Sequence, residues 1–258
     1  MNKKTIGNLN LYHGDCMDYM KGCEDNAFDL VFTSPPYNMR TRIRNGEYTT
    51  RETKDHFSKK YKNFHDALSI DDYYKFHKQA LIEMLRISNL VLWNIQIVTG
   101  SKEAVFKLIG FFGGYIKDII IWDKGHGQPA MHDKVLNKAT ELIIIFESPK
   151  SAGRYISNAK FKRGELSDIW RIKREASAAK GHSAVFPLNL CATVLNNFAD
   201  NQSKVLDPFL GTGTSAIAAH YFGCEYVGIE IDEDYFNAAV RRFEKETAQS
   251  DMFGKAAK

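Results

Sequence analysis

Two runs in this chain, Ile119-Ile120-Ile121-Trp122 and Leu142-Ile143-Ile144-Ile145-Phe146, have no polar residue alternating with the apolar ones. A strand of that kind is apolar on both faces, so it belongs in a sheet covered on both sides. Seven apolar runs of strand length occur, at residues 9–13, 28–33, 89–95, 115–122, 141–147, 204–207 and 225–231. Patterns of helical period separate them. Residues 71–86 set Tyr74, His77, Leu81, Met84 and Leu85 near one face, with Asp71 and Asp72 where a helix dipole favours acids. Residues 101–111, 187–198, 212–222 and 232–245 are further helices, and Pro187 suits a first-turn position. The alternation predicts a doubly wound α/β fold with a mostly parallel seven-stranded sheet. At 44% hydrophobic, the 258 residues can fill one large core, so residues 1–258 are expected to form a single domain. Ligands of such sheets lie beyond the carboxyl ends of the strands.

Two of those ends carry chemistry. One apolar run ends in Thr33-Ser34-Pro35-Pro36-Tyr37, where two prolines fix the backbone and an aromatic ring follows. Such a segment can hold a flat, amino-bearing ring: the Ser34 side-chain oxygen and the Pro35 carbonyl are acceptors, and Tyr37 offers a face for stacking. A second run ends in Asp207-Pro208-Phe209-Leu210-Gly211-Thr212-Gly213-Thr214 and leads into a helix. Glycines there allow a tight turn and a backbone close to a ligand. No lysine follows the second glycine, so this is not a phosphate-binding P-loop. The next strand ends Gly228-Ile229-Glu230-Ile231-Asp232. An acid one strand further on suits ribose hydroxyls; Glu230 is assigned that place, and Asp232 is read as a helix cap.

Read together, the two motifs resemble those of the DNA amino-methyltransferases, which use S-adenosylmethionine to methylate an exocyclic amine of a base. The catalytic segment precedes the cofactor loop, the circularly permuted motif order of that family's beta group. The resemblance implies the sheet of the S-adenosylmethionine-dependent methyltransferases, with Ser34, Pro35, Pro36 and Tyr37 as the catalytic segment. It implies a cofactor site from Asp15, Thr33, Asp207, Pro208, Phe209, Gly211, Gly213, Thr214 and Glu230. Gly14-Asp15-Cys16 resembles the family's segment near the adenine, and Phe186-Pro187 the one packing on the methionine part. Asp168-Ile169-Trp170, Trp122-Asp123-Lys124 and Glu141-Leu142-Ile143 also stand where family members carry similar residues. A duplex base would have to rotate out of the stack to reach the segment, and Tyr48 or Tyr61 could support it beside Tyr37. Within the family, Asp in place of Ser34 usually goes with adenine N6 and Ser most often with cytosine N4. Cytosine N4 is therefore the reading taken, with adenine N6 as the alternative. An RNA methyltransferase and a non-catalytic DNA-binding relative are the further alternatives.

Charge distribution bears on the partner. Residues 38–66 hold eight Lys/Arg against four Asp/Glu, and residues 150–182 hold nine against three. Against the formal net charge of +4, the rest of the chain is at −6. Basic, weakly periodic segments on an acidic scaffold fit phosphate contacts, and the family resemblance implies double-stranded DNA as the partner. Residues 38–66 are read as a basic loop or lid, and residues 150–182 as the target-recognition segment. In the latter, Lys160, Lys162, Arg163, Arg171, Lys173 and Arg174 could meet phosphates or guanine edges. The cysteines Cys16, Cys23, Cys191 and Cys224 form neither a CxxC pair nor zinc spacing, and no Pro-Cys dipeptide marks an attack on cytosine carbon 5. No metal site is expected. No apolar stretch reaches the ~20 residues of a bilayer span, and the N-terminus lacks a signal-peptide core. The expectation is a cytoplasmic enzyme, bacterial or phage-encoded, from a restriction–modification system or acting alone. The family resemblance adds a homodimer.

Overall fold

All seven apolar runs form strands, and the chemistry-bearing segments leave their carboxyl ends. The computed structural model of the chain describes residues 1–38, 41–44, 47–50, 68–128, 133–147, 153, 155–174 and 186–254. The strands are β1 (Asn2–Ile6), β2 (Leu9–His13), β3 (Leu30–Thr33), β4 (Thr41–Arg44), β5 (Glu47–Thr50), β6 (Leu90–Ile95), β7 (Ile116–Gln128), β8 (Lys138–Glu147), β9 (Ile169–Arg171), β10 (Lys204–Asp207) and β11 (Glu225–Glu230). The helices are α1 (Cys16–Lys21), α2 (Ile70–Ile87), α3 (Lys102–Phe111), α4 (Leu188–Phe198), α5 (Thr214–Phe222) and α6 (Glu233–Gly254).

The main sheet runs β1-β2-β11-β10-β3-β6-β8-β7-β9. From β2 through β6 every neighbour is parallel. β8 runs antiparallel to both β6 and β7. The seven expected strands form its body, and β1 and β9 extend its edges. β1 escapes an apolar search because it is Asn-Lys-Lys-Thr-Ile, an exposed edge strand that pairs only with β2. Polar edges of this kind discourage pairing with other chains. β4 and β5 make a separate hairpin inside the segment read as a lid.

The unbroken apolar run on β8 follows from cover on both faces, whereas on β7 the cover is partial: Ile120 and Trp122 are buried, but Ile121 is exposed. On β3, Leu30 and Phe32 enter one core while Val31 enters the other. On β8, Ile143 and Ile145 pack with the first core, Ile144 and Phe146 with the second. The first core is closed by α4, α5 and α6, the second by α1, α2 and α3. Burying each such side chain contributes about 1.5–3 kcal/mol, which favours apolar residues on both faces. Asp232 caps α6 as expected, accepting from Asp234 N at 3.0 Å and Tyr235 N at 3.1 Å. Pro187 stands at the N-cap of α4 rather than inside its first turn. The four cysteines are free thiols. Among the described residues, no helix is long and apolar enough to cross a membrane.

Candidate active site

β3, β10 and β11 end side by side, and a cavity of about 200 Å³ opens beyond them. Its wall combines Asp15, Ser34, Pro36, Pro208, Phe209 and Glu230, six of the residues expected at the site, with Gly14, Cys16, Phe76, Ile229 and Ile231. Among the described residues, two carboxyl groups and no lysine or arginine line it.

The glycine loop is built around two buried acids. Glu230, 4% exposed, accepts from Gly211 N at 2.8 Å with one oxygen and from Asp232 N at 2.9 Å with the other. Each oxygen keeps a lone pair for a further donor. Gly211 has φ +56° and Gly213 φ +79°, both left-handed. At Gly213 an added Cβ would come within 3.1 Å of Ala239 Cβ on α6, so close helix packing explains this glycine. Thr214 Oγ1 accepts from Arg242 Nη1 at 2.7 Å, which ties the start of α5 to α6.

Asp207 faces away from the cavity. Its carboxyl accepts from Thr33 Oγ1 at 2.6 Å, Ser215 Oγ at 2.6 Å and Phe209 N at 3.1 Å, joining the ends of β3 and β10. Of the remaining expected residues, Thr33, Gly211, Gly213 and Thr214 shape this scaffold without lining the wall. Phe186 stacks on Phe32 at 4.8 Å between ring centroids, and Pro187 is buried beside it. That pair is also off the cavity wall. Asp15 lies at the rim, where its side chain accepts from Met17 N at 2.7 Å and starts α1.

Behind Ser34 lies a polar cluster with members on β6, β7 and β8 and in the segments that follow β3 and β9. Ser34 Oγ is 2.6 Å from Tyr37 Oη, and Tyr37 Oη donates to Glu141 Oε2 at 2.9 Å. Asn94 Nδ2 donates to Tyr37 Oη at 2.6 Å and to Glu141 Oε2 at 2.7 Å, with a longer contact to Ser34 Oγ at 3.3 Å. Buried Lys124 donates to Glu141 Oε1 at 2.9 Å, and Arg174 reaches the same oxygen at 3.3 Å. Burial, and next the Glu141 charge, push the Tyr37 phenol well above its ordinary value, so it remains a donor. Burial pulls the Lys124 ammonium down while Glu141 holds it up. The Pro36 carbonyl accepts from Tyr73 Oη on α2 at 2.9 Å, pinning the proline segment to the helix.

Arg174, expected in the recognition segment, thus turns toward this cluster. Lys160 pairs with Asp200 at 3.0 Å, and Arg171 stands 4.0 Å from Asp123. Lys162, Arg163 and Lys173 are exposed. Tyr61 and the rest of residues 51–66 of the lid lie outside the described residues, as do residues 150–152, 154 and 175–182 of the recognition segment and the side chain of Tyr48. Residue-by-residue reading gave no place to Phe76 or Asn94. Phe76 lies off the expected apolar face of α2 and meets Phe209 edge-on at 6.1 Å, and Asn94 is an ordinary polar residue near a strand end. No local pattern marks either.

Burial raises the Glu230 carboxyl to about 7, against the lowering effect of the Asp232 and Gly211 bonds. A folded-state value above the ordinary 4.5 means that the folded protein holds this proton more tightly than the unfolded chain does. The stability due to Glu230 is therefore complete below about pH 4.5 and is lost as pH rises through about 7, a change on the order of 3 kcal/mol. In thermal unfolding without ligand, the wild type should lose stability relative to Glu230→Gln as pH rises over this window. Parallel curves for the two proteins would contradict the assignment.

The sequence matches the family described as DNA methylase, of the N6/N4 type, over residues 28–241. It is 25% identical to the type II methyltransferase M2.MboI of Moraxella bovis, covering 93% of this chain and 89% of that one. It is 26% identical to the type II methyltransferase M.ScaI of Streptomyces caespitosus, over 93% and 82% of the two chains. Among solved structures, the cytosine-N4-specific PvuII DNA methyltransferase superposes with a TM-score of 0.68 at 15% identity, covering 93% of this chain and 87% of that one. The S-adenosylmethionine complex of a DNA modification methylase from Thermus thermophilus gives 0.60 at 20% identity, over 92% and 93%.

Proposed function

The chain belongs to the N6/N4 DNA methylase family, and from that premise we propose that it methylates an exocyclic amine of a base in double-stranded DNA with S-adenosylmethionine. Cytosine N4 is the first reading and adenine N6 the alternative. The observation that carries the proposal is the cavity wall, which joins Ser34 to Glu230 and, among the described residues, holds two carboxyl groups but no cation. None of the described lining residues would neutralise a phosphate-bearing ligand, whereas a cationic nucleoside without phosphates fits. When bound, S-adenosylmethionine supplies an electrophilic methyl group on a sulfonium, already a good leaving group.

The work left to the protein is positioning. Glu230, with a lone pair free on each oxygen, would accept from the two ribose hydroxyls. Phe209, Phe76 and Pro208 would pack against the flat and apolar parts of the ligand, and Asp15 would stand at the adenine end. Asp207 and Thr33 act one step back by holding the loop that carries Pro208 and Phe209. Ser34 Oγ and the Pro35 carbonyl would accept from the target amine and hold its nitrogen toward the methyl donor. A base so placed has left the duplex, with Tyr37 next to it. Ser34 supports cytosine N4 through the family habit described above; a hydroxyl accepts from either amine, which keeps adenine N6 as the alternative. Exposed Lys162, Arg163 and Lys173 would contact DNA phosphates within a recognition segment spanning residues 150–182, and residues 38–66 would form a lid.

Incubation with tritiated S-adenosylmethionine and unmethylated duplex DNA, followed by nucleoside separation, tests the reading. The expected product is labelled N4-methyldeoxycytidine. N6-methyldeoxyadenosine would select the alternative, and label confined to RNA would overturn the DNA assignment.

A further inference from the structure

Resting on that reading, we propose that Glu141 is a positioning residue that fixes the direction of a hydrogen-bond chain and thereby makes Ser34 an acceptor toward the cavity. The hydrogens in the chain can be counted. A carboxylate offers no hydrogen, so the single phenolic hydrogen of Tyr37 is spent on Glu141 Oε2 at 2.9 Å. With that hydrogen committed, the 2.6 Å contact between Ser34 Oγ and Tyr37 Oη requires the serine hydroxyl to be the donor. Ser34 then turns lone pairs, and no hydrogen, toward the cavity that it lines.

Asn94 reinforces the direction. Its Nδ2 is 2.7 Å from Glu141 Oε2 and 2.6 Å from Tyr37 Oη, so its two hydrogens are used on the same pair. The amide cannot be flipped, because its oxygen would then face a carboxylate oxygen. Lys124 and Arg174 hold the other carboxylate oxygen, which fixes which edge of Glu141 faces Tyr37.

Glutamine at position 141 would do more than remove a charge. Its carbonyl would turn to Lys124 and Arg174 and its amide N–H to Tyr37 Oη, while Asn94 would keep its bond to Tyr37 and lose its acceptor on residue 141. Tyr37 would become an acceptor there and would donate to Ser34, releasing the serine hydrogen into the cavity against the amine N–H. Tyr37→Phe releases the same hydrogen by another route and leaves Glu141 paired with Lys124.

The test is single-turnover methyl transfer to duplex DNA at saturating cofactor, with cofactor and DNA affinities and melting temperature measured alongside. Tyr37→Phe and Glu141→Gln are each expected to lose on the order of 10- to 100-fold in rate, less than the removal of a direct contact, with both affinities within about threefold. The double variant should be no slower than the slower single one, since both changes free the same hydrogen. Tyr37→Phe keeps the buried ion pair, so it decides the matter even if Glu141→Gln does not fold. A Tyr37→Phe rate equal to wild type, or rate losses that multiply in the double variant, would overturn the inference. If the wild type itself transfers no methyl to DNA, the functional reading falls and takes the inference with it.

Discussion

Ser34→Ala is expected to lower methyl transfer by about 10²- to 10³-fold, the loss typical when one positioned hydrogen-bonding group at a reacting centre is removed. Three features keep the change local. Ser34 lies on the cavity wall, so a methyl in its place opens no sealed void. Tyr37 keeps its bonds to Glu141 and Asn94, so the cluster behind remains satisfied. The proline segment is still pinned through the Pro36 carbonyl by Tyr73. Stability should therefore change by less than about 1 kcal/mol, and cofactor affinity should hold within about twofold because the proposed ligand contacts at Glu230 are untouched. Single-turnover rates together with equilibrium cofactor titration separate the two quantities. A mutant that transfers methyl at the wild-type rate would remove Ser34 from the reaction.

Asp207→Ala should have the largest effect on folding. Asp207 is 2% exposed, and its carboxyl is the acceptor for two hydroxyls and one backbone N–H. Removing it strands those donors in a dry site, at about 1–3 kcal/mol each where no water can enter, and adds a small cavity. Partial relaxation brings the total to roughly 4 kcal/mol, or about 8–16 °C in melting temperature for a chain of this size. Cofactor binding should weaken as well, through the loop and not through a lost contact, because Asp207 does not line the cavity. Thr33→Val provides the control: it removes one of the three donors and should cost about 1 kcal/mol. A melting temperature for Asp207→Ala within about 2 °C of wild type would show that the bonds joining β3 and β10 carry little of the fold.

Much of this architecture was legible in the chain because its causes are local. A strand covered on both faces must be apolar at every position, and Leu142–Phe146 satisfies that condition without reference to any partner; in the Ile119–Trp122 run the pattern overstates the cover, because Ile121 is exposed. The two prolines after Ser34 and the paired glycines after Phe209 restrict or free the backbone wherever they stand. Glu230 stood out as an acid ending the strand after a glycine loop, and it lines the cavity. β1 and α1 were missed for the complementary reason: an exposed edge strand and a six-residue helix bury too little to leave a pattern.

The active-site cluster was decided elsewhere. Glu141 and Tyr37 are 104 positions apart, and Glu141 and Asn94 are 47 apart. Glu141 is marked in the sequence only through the family resemblance of Glu141-Leu142-Ile143, with no partner named for it. It becomes the anchor of Ser34 only because β8 is inserted antiparallel between β6 and β7, in a register that sets it opposite Trp122 and within reach of both Lys124 and Asn94. Strand order and register are fixed by the packing of two cores at once. A one-residue slip would exchange the faces of every side chain on β8 and carry Glu141 away from Tyr37. The chain by itself determined which segments are buried and which loops bear chemistry; the tertiary structure alone determined which distant side chains meet there, because contact between them depends on the pairing of whole strands and not on any local run of residues.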